Sequence, residues 1–146
     1  HRDLHSFPTR RSSDLKGIVN AGKHLEITFL VIPGFNDSIS EFETMTDWIA
    51  TELGSSVPFH LSRYFPSFRL TVSPTPLATL HRLAEVAARK LHFIYTGNVG
   101  TDEYAVTKCP SCKTTLISRN GFQTSVTGLT AEGKCHHCNA SVSVRM

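Results

Sequence analysis

The chain has no uninterrupted apolar run near the roughly 20 residues that a bilayer span requires. It has little charge: 18% of residues are ionic, the two signs are interspersed and the net charge is +3. That balance does not demand a nucleic-acid or membrane partner. Cysteine is absent before residue 109 and then occurs four times. A disulfide-rich secreted scaffold would spread its cysteines, and no signal-peptide pattern precedes these. A reducing, cytoplasmic setting is expected. What is present is 40% apolar residues in a chain of 146. That suits one modest globular domain, or a piece of a larger one with an appendage, rather than a disordered chain.

Residues 1–15 lack helical and strand periodicity and fit no targeting signal. They match, residue for residue, one reading frame of a common short-read sequencing adapter. A basic disordered arm is the alternative, and a fifteen-residue match weighs against it. The expectation is that residues 1–15 are an adapter-derived artefact, not a domain, and that the natural protein continues upstream of Lys16.

From Lys16 the pattern alternates. Lys16–Gly22 resembles a helix tail with a glycine C-cap. Leu25–Ile32 is β-branched and almost continuously apolar, which suits a strand buried on both faces. Ser38 and Glu41 have capping-box spacing before a helix. Ile39, Phe42, Met45, Ile49 and Leu53 share one face of it, with Trp48 beside them, and Gly54 ends it. A strand follows around Val57–Leu61, then an Arg-, Tyr-, Phe- and Pro-rich loop from Ser62 to Pro74. Thr75 as the cap and Pro76 at the first position open another helix with a buried stripe of Leu77, Leu80, Ala84, Ala87 and Leu91. His92–Tyr95 is a third strand. The order α-β-α-β-α-β with short connections predicts parallel strands. Three strands cannot close a barrel, so Leu25–Ile32 is expected at a sheet edge.

From Lys108 the helical stripes stop and Gly, Ser, Thr and Cys take over. The division expected is 16–104 for the α/β part and 105–146 for a small module, with Gly100–Glu103 as linker. Cys109-Pro-Ser-Cys112 and Cys135-His-His-Cys138 are two C-x-x-C pairs separated by 22 residues. Two such pairs at this spacing are a strong signal for a closed tetrahedral thiolate site, which fits Zn²⁺. A hairpin across Thr114–Thr127 would bring the second pair round to the first. A rubredoxin-like iron, a redox dithiol and disulfides are the alternatives. A redox C-x-x-C belongs at a helix start in a βαβ unit, and neither pair sits there. His136 and His137 are expected to be loop residues. A module of this size buries little core, so its metal would supply most of its folding energy.

Five segments carry a resemblance when taken in order: Leu30-Val-Ile-Pro-Gly-Phe-Asn-Asp-Ser38, Pro58-Phe-His-Leu-Ser-Arg-Tyr-Phe-Pro66, Pro74-Thr-Pro-Leu77, Tyr95-Thr-Gly-Asn-Val99, and a terminal two-pair cysteine ribbon containing Arg119-Asn-Gly-Phe122. This succession, spanning Lys16–Met146, resembles the AmmeMemoRadiSam system radical SAM enzymes, which are of the glycyl-radical-activase type. The resemblance implies the last βα units of a partial (β/α) radical SAM barrel followed by a C-terminal zinc ribbon. It implies a [4Fe-4S] cluster and S-adenosylmethionine as cofactors in the full-length parent, where they generate a 5′-deoxyadenosyl radical. It also implies functional association with Memo-like and Ammecr-like proteins. The C-x-x-x-C-x-x-C loop that holds such a cluster is missing here, so this stretch alone is expected to be inactive, with no catalytic residue of its own.

Thr28, Pro33, Gly34, Arg63 and Tyr64 are the candidates for cofactor contact, since ligands gather at the C-terminal ends of parallel strands. The family commonly has His where Phe65 stands, and Phe cannot bond a ribose hydroxyl. Each candidate also has a plainer reading: Pro33-Gly34 as a turn, Thr28 as a barrel-interior filler, Arg63 as a surface ion pair. His60, His81 and His92 are expected to be structural, and Asp37 and Glu41 to serve a helix N-terminus. A rival class is a zinc-ribbon protein- or RNA-binding module without catalysis. The few basic residues of the ribbon and its single aromatic, Phe122, weigh against RNA. A third option makes the ribbon a docking element for the enzyme's partner.

Overall fold

A computed structural model of the chain describes residues 11–100, 102–121 and 123–142. The element order is α1 (Arg11–Asn20), β1 (Ile27–Val31), α2 (Ile39–Glu52), β2 (Phe59–Arg63), α3 (Leu77–Ala88), β3 (Ile94–Gly97), β4 (Val106–Lys108), β5 (Thr115–Asn120) and β6 (Gln123–Val126). Among the described residues, no helix is long and apolar enough to cross a membrane. The chain divides into two compact units between Asn98 and Val99, a few residues ahead of the boundary expected from composition.

The first unit holds the three parallel strands in the order β1-β2-β3. Ile27 pairs with Phe59 and Phe59 with Ile94. β1 is therefore an edge strand among the described residues. Side chains alternate across a strand, and here one face of the sheet is apolar. Phe29 and Phe59 on that face meet Phe42 of α2, with ring centroids 5.6 and 5.9 Å apart. Leu80, Leu83, Ala84 and Ala87 of α3 are fully buried, and α3 packs on β2, β3 and α2. The other face carries Thr28, Leu30, His60, Ser62, Tyr95 and Gly97, all half or fully exposed. β1 is thus not buried on both faces as its composition suggested. Leu30 is 43% exposed, because consecutive βα units place their helices against one side of the sheet.

Several local signals resolve differently from the pattern. All three strands begin about two residues later than expected. The Ile27 N–H donates to the Pro58 carbonyl (3.0 Å), and Pro58 has no N–H with which to carry the ladder further upstream. Ser38 is the N-cap residue of α2 but its side chain caps nothing. Its hydroxyl lies 3.2 Å from that of Ser40, so no capping box forms with Glu41. Thr75 does not cap α3, whose N-cap is Pro76. Its buried hydroxyl instead donates to the Val31 carbonyl (2.6 Å) and accepts from the Tyr64 N–H (3.0 Å), tying the ends of β1 and β2 to the start of α3. Leu77 is exposed, so the α3 stripe begins at Leu80.

α1 starts at Arg11, inside the segment that resembles an adapter, while residues 1–10 lie outside the described residues. A helix nucleated over Lys16–Asn20 extends upstream at little cost, since each added residue gains a hydrogen bond. Gly22 closes it in the left-handed conformation, at φ 66. Lys16 forms an ion pair with Glu52 and lies over the Trp48 ring, which links α1 to α2.

The second unit is an antiparallel sheet in the order β4-β5-β6. β4 had no sequence signal, being only three residues long, and it pairs with β5 across a register shift at Thr107/Lys108. Gly121 turns β5 into β6 at φ 57. Its small core holds Leu116, Ile117, Leu129, Val142 and two of the cysteines. Phe122 lies outside the described residues.

Candidate metal centre

Each C-x-x-C pair makes the same turn. The Cys109 N–H donates to the Thr114 carbonyl (2.8 Å) and the Cys109 carbonyl accepts from Lys113 (2.9 Å). The Cys135 N–H donates to the Ala140 carbonyl (2.9 Å) and the Cys135 carbonyl accepts from Asn139 (2.9 Å). In both turns the residue after the second cysteine is left-handed, Lys113 at φ 63 and Asn139 at φ 60. The two knuckles are thus local copies, 26 residues apart in phase, which two matched C-x-x-C motifs already hint at.

The four sulfurs converge. All lie within 4.8 Å of one another. Cys109 Sγ is 3.7 Å from Cys138 Sγ, and Cys112 Sγ is 3.6 Å from Cys135 Sγ. A tetrahedron of thiolates about 2.3 Å from a central zinc has edges of about 3.8 Å. The spacing therefore fits a four-coordinate metal, and all four cysteines are free thiols. Cys109 and Cys135, the first of each pair, are buried; Cys112 is half-buried and Cys138 exposed.

The electrostatics carry the strain of bringing four ionisable thiols together. Thr114, through its hydroxyl and then its backbone N–H, draws the Cys112 thiol down to about 6 against partial desolvation. Burial pushes Cys109 up, but hydrogen bonds from the Cys112 and Ser111 backbone outweigh it and the net shift is downward. At Cys138 the backbone hydrogen bond at Ala140 favours the thiolate. Cys112, desolvation and the other two thiols outweigh it and push Cys138 up to about 12. A cation at the centre would favour the thiolate form of all four cysteines at once.

Gly128 is a residue that the motifs did not reveal. A Cβ there would lie 2.4 Å from the Thr115 carbonyl oxygen and 2.7 Å from the Leu116 Cα. Its N–H donates to the Leu116 carbonyl (3.0 Å), and its carbonyl accepts from His136 inside the second knuckle (2.9 Å). Gly128 is where the second knuckle seats against β5. Only its position between β6 and Cys135 could have pointed to it. His136 and His137 are exposed and stand outside the four-sulfur cluster.

The five residues considered for cofactor contact are placed as follows. Pro33 and Gly34 form the turn that leaves β1, with Gly34 at φ 75 and its N–H donating to Asp37 Oδ1 (2.9 Å). Arg63 ends β2 opposite Val31, and its Nε donates to the Thr75 carbonyl (2.8 Å). Tyr64 is buried, and its hydroxyl donates to the Leu70 carbonyl (2.8 Å). These four therefore share the C-terminal end of adjacent strands. Thr28 lies lower on β1, exposed and paired with His60. Asn36 is a further residue at this end. It accepts from the Ile32 N–H (2.7 Å) and donates to the Leu30 carbonyl (2.9 Å), closing the loop after β1. His60 bonds Glu26 (2.9 Å) and stacks on Tyr95.

Compared with known proteins, the chain matches no family model and no solved structure. It is 35% identical over 126 residues to an uncharacterized protein of Methanocaldococcus jannaschii, a match covering 84% of this chain. The chain spans only 38% of the length of that relative.

Proposed function

We propose that the four-cysteine centre is a structural zinc site and that the parallel unit is a segment of a radical SAM barrel in a longer cytoplasmic enzyme. The observation that carries the zinc reading is the convergence of four sulfurs from two matched knuckles at tetrahedral spacing. All four positions of the tetrahedron are protein thiolates, which leaves no open position for a substrate or water. The metal therefore holds the fold and does no hydrolysis. A reducing compartment keeps the four thiols available.

The enzyme reading rests on the ordered motifs and gains support from one feature of the fold. Three consecutive parallel strands have an apolar, helix-packed face and an opposite face of Thr28, Leu30, His60, Ser62, Tyr95 and Gly97. Helices on one side only of parallel strands are what a segment of a (β/α) barrel requires. The relative's greater length is compatible with it. The chain's own residues do not fit a [4Fe-4S] cluster. Its only cysteines form the ribbon site, and no other set of three candidate ligands clusters among the described residues. No step through such a cluster is assigned to this chain. Pro33, Gly34, Arg63, Tyr64 and, further off, Thr28 would face S-adenosylmethionine in the parent. Of their polar groups, the Tyr64 hydroxyl, the Arg63 Nε and the Gly34 N–H already have partners within the loops.

Two measurements test the two halves. Metal analysis of protein purified without added metal should give one zinc per chain, and Cys109→Ser should remove it. Stoichiometric iron with a rubredoxin-like spectrum would overturn zinc. If the source gene has coding sequence upstream of Lys16, that sequence should encode a C-x-x-x-C-x-x-C loop, and the anaerobically reconstituted full product should release 5′-deoxyadenosine from S-adenosylmethionine. Absence of that loop would leave the non-catalytic zinc-ribbon module standing.

A further inference from the structure

The loop between β2 and α3 ends in a tight, solvent-facing tip. Ser67 and Leu70 exchange both backbone hydrogen bonds, at 3.2 and 3.1 Å, with Phe68 and Arg69 between them. Phe68 has φ 53 and is 91% exposed. Glycine or asparagine normally occupies such a left-handed turn position. A bulky aromatic is strained there, and this one recovers almost nothing by burial. The strain is held by a fixed stem. Tyr64 is buried with its hydroxyl on the Leu70 carbonyl, and Thr75 clamps Tyr64 and Arg63 through hydrogen bonds of 3.0 and 2.8 Å.

The tip is also one-signed. The Arg69 guanidinium lies over the Phe68 ring at 5.1 Å, and that of Arg63 over the half-exposed Phe65 ring at 4.8 Å. The segment 63–74 contains no Asp or Glu. Among the described residues neither guanidinium forms an ion pair with a carboxylate. Aromatic and Arg side chains held in advance on a rigid support are the groups that dominate protein–protein contacts.

We propose that Phe68, flanked by Arg63 and Arg69, is an anchor for another protein, whose surface offers an apolar pocket rimmed by carboxylates. Single-stranded nucleic acid is the less suitable partner. It needs a basic track and successive free stacking faces, whereas this loop offers two cations and a ring already stacked on one side. The inference is independent of the zinc reading; it shares Arg63 with the enzyme reading, whereas Phe68 and Arg69, the residues varied in the test, have no role there.

The test is to pan a phage-displayed random dodecapeptide library on the immobilised full chain, then measure the best peptides by fluorescence anisotropy. Selected peptides should pair acidic residues with an apolar or aromatic one. Phe68→Gly should weaken them at least tenfold and Arg69→Ala several-fold. Phe68→Gly also relieves the left-handed strain, so its melting midpoint should equal or exceed that of the wild type, which separates lost docking from lost folding. Peptides without acidic residues, or equal affinity for Phe68→Gly, would overturn the proposal. So would Phe68-dependent binding of a fluorescein-labelled oligo(U), which reassigns the tip to nucleic acid. Phe68-dependent dimers in light scattering would replace the separate partner by a second copy.

Discussion

The two units solve the same problem with different chemistry. The parallel unit is held by apolar side chains that meet across a sheet and two helices, with Phe42, Phe59, Leu61, Leu80 and Leu83 all nearly inaccessible. The ribbon unit buries few large side chains, and two of its most buried residues are cysteines. Its strands are three, six and four residues long, and every residue of β6 is exposed. Small modules of this kind lack the buried area to offset chain entropy and need a covalent or metal staple. The difference teaches that the four sulfurs are not an addition to the ribbon's core. Cys109 and Cys135 share that core with Leu116, Ile117, Leu129 and Val142.

Removing the metal should therefore break one unit and spare the other. Structural zinc supplies roughly 10–16 kcal/mol in small metal modules. A strong chelator, or Cys109→Ser, should abolish amide-exchange protection in β4–β6. Protection in α2, α3 and β2 should persist. Equal loss in both units would mean that they share one cooperative core. The pH dependence of the metal has a definite sign. Cys138 is pushed up to about 12, so near neutrality zinc must displace its proton. Affinity should rise with pH and fall as the solution is acidified, as competition with a chromophoric chelator would show.

The converse break is Phe59→Ala. Phe59 is fully buried, pairs with both neighbouring strands and touches the Phe29 and Phe42 rings. Truncating it should cost about 3–5 kcal/mol, the usual loss for a core aromatic. Chemical denaturation followed by helical circular dichroism should report that loss, while zinc stoichiometry stays at one per chain.

Gly128→Ala sharpens the comparison within the ribbon. The added methyl would meet the backbone of Thr115 and Leu116, which cannot rotate away as a side chain can. Overpacking of this kind costs about 1–3 kcal/mol. The variant should still bind zinc, because no ligand changes, but more weakly in competition titrations. Unchanged affinity would show that the knuckle can lift off β5 without disturbing the sulfurs.

How much of this was legible depended on the range of the interaction. The helical stripe from Phe42 to Leu53 and the run from Leu80 to Leu91 are local periodicities, and they became buried faces. The cysteine spacing encoded the four-sulfur cluster because each C-x-x-C turn is closed by its own backbone. The double burial assigned to β1 failed because composition does not record which face receives helices. The supposed caps at Ser38 and Thr75 failed because a hydroxyl has several acceptors in reach, and for Thr75 the better one lies 44 residues away at Val31. Gly128 was invisible for the same reason: the backbone it fits against belongs to another strand.

The smallest effect concerns the sheet face opposite the helices. Glu26 bonds His24 through one oxygen (2.8 Å) and His60 through the other (2.9 Å). These contacts, the His24 hydrogen bond first, hold its carboxyl below the usual carboxylate range despite partial burial. A carboxyl lowered on folding stabilises the native state above its unfolded pKa. The contribution is lost as pH falls through the folded value. The groups are nearly half exposed, so solvent screening limits the gain to well under about 1 kcal/mol. Glu26→Gln should therefore lower stability slightly at pH 6–7, and the difference from the wild type should shrink as pH falls through the folded value of the carboxyl. Because β1 stands at the edge of the described sheet, the same variant should raise exchange at β1 amides before those of β2. A large effect at neutral pH, comparable with Phe59→Ala, would mean that this face carries far more of the unit's stability than its exposure allows.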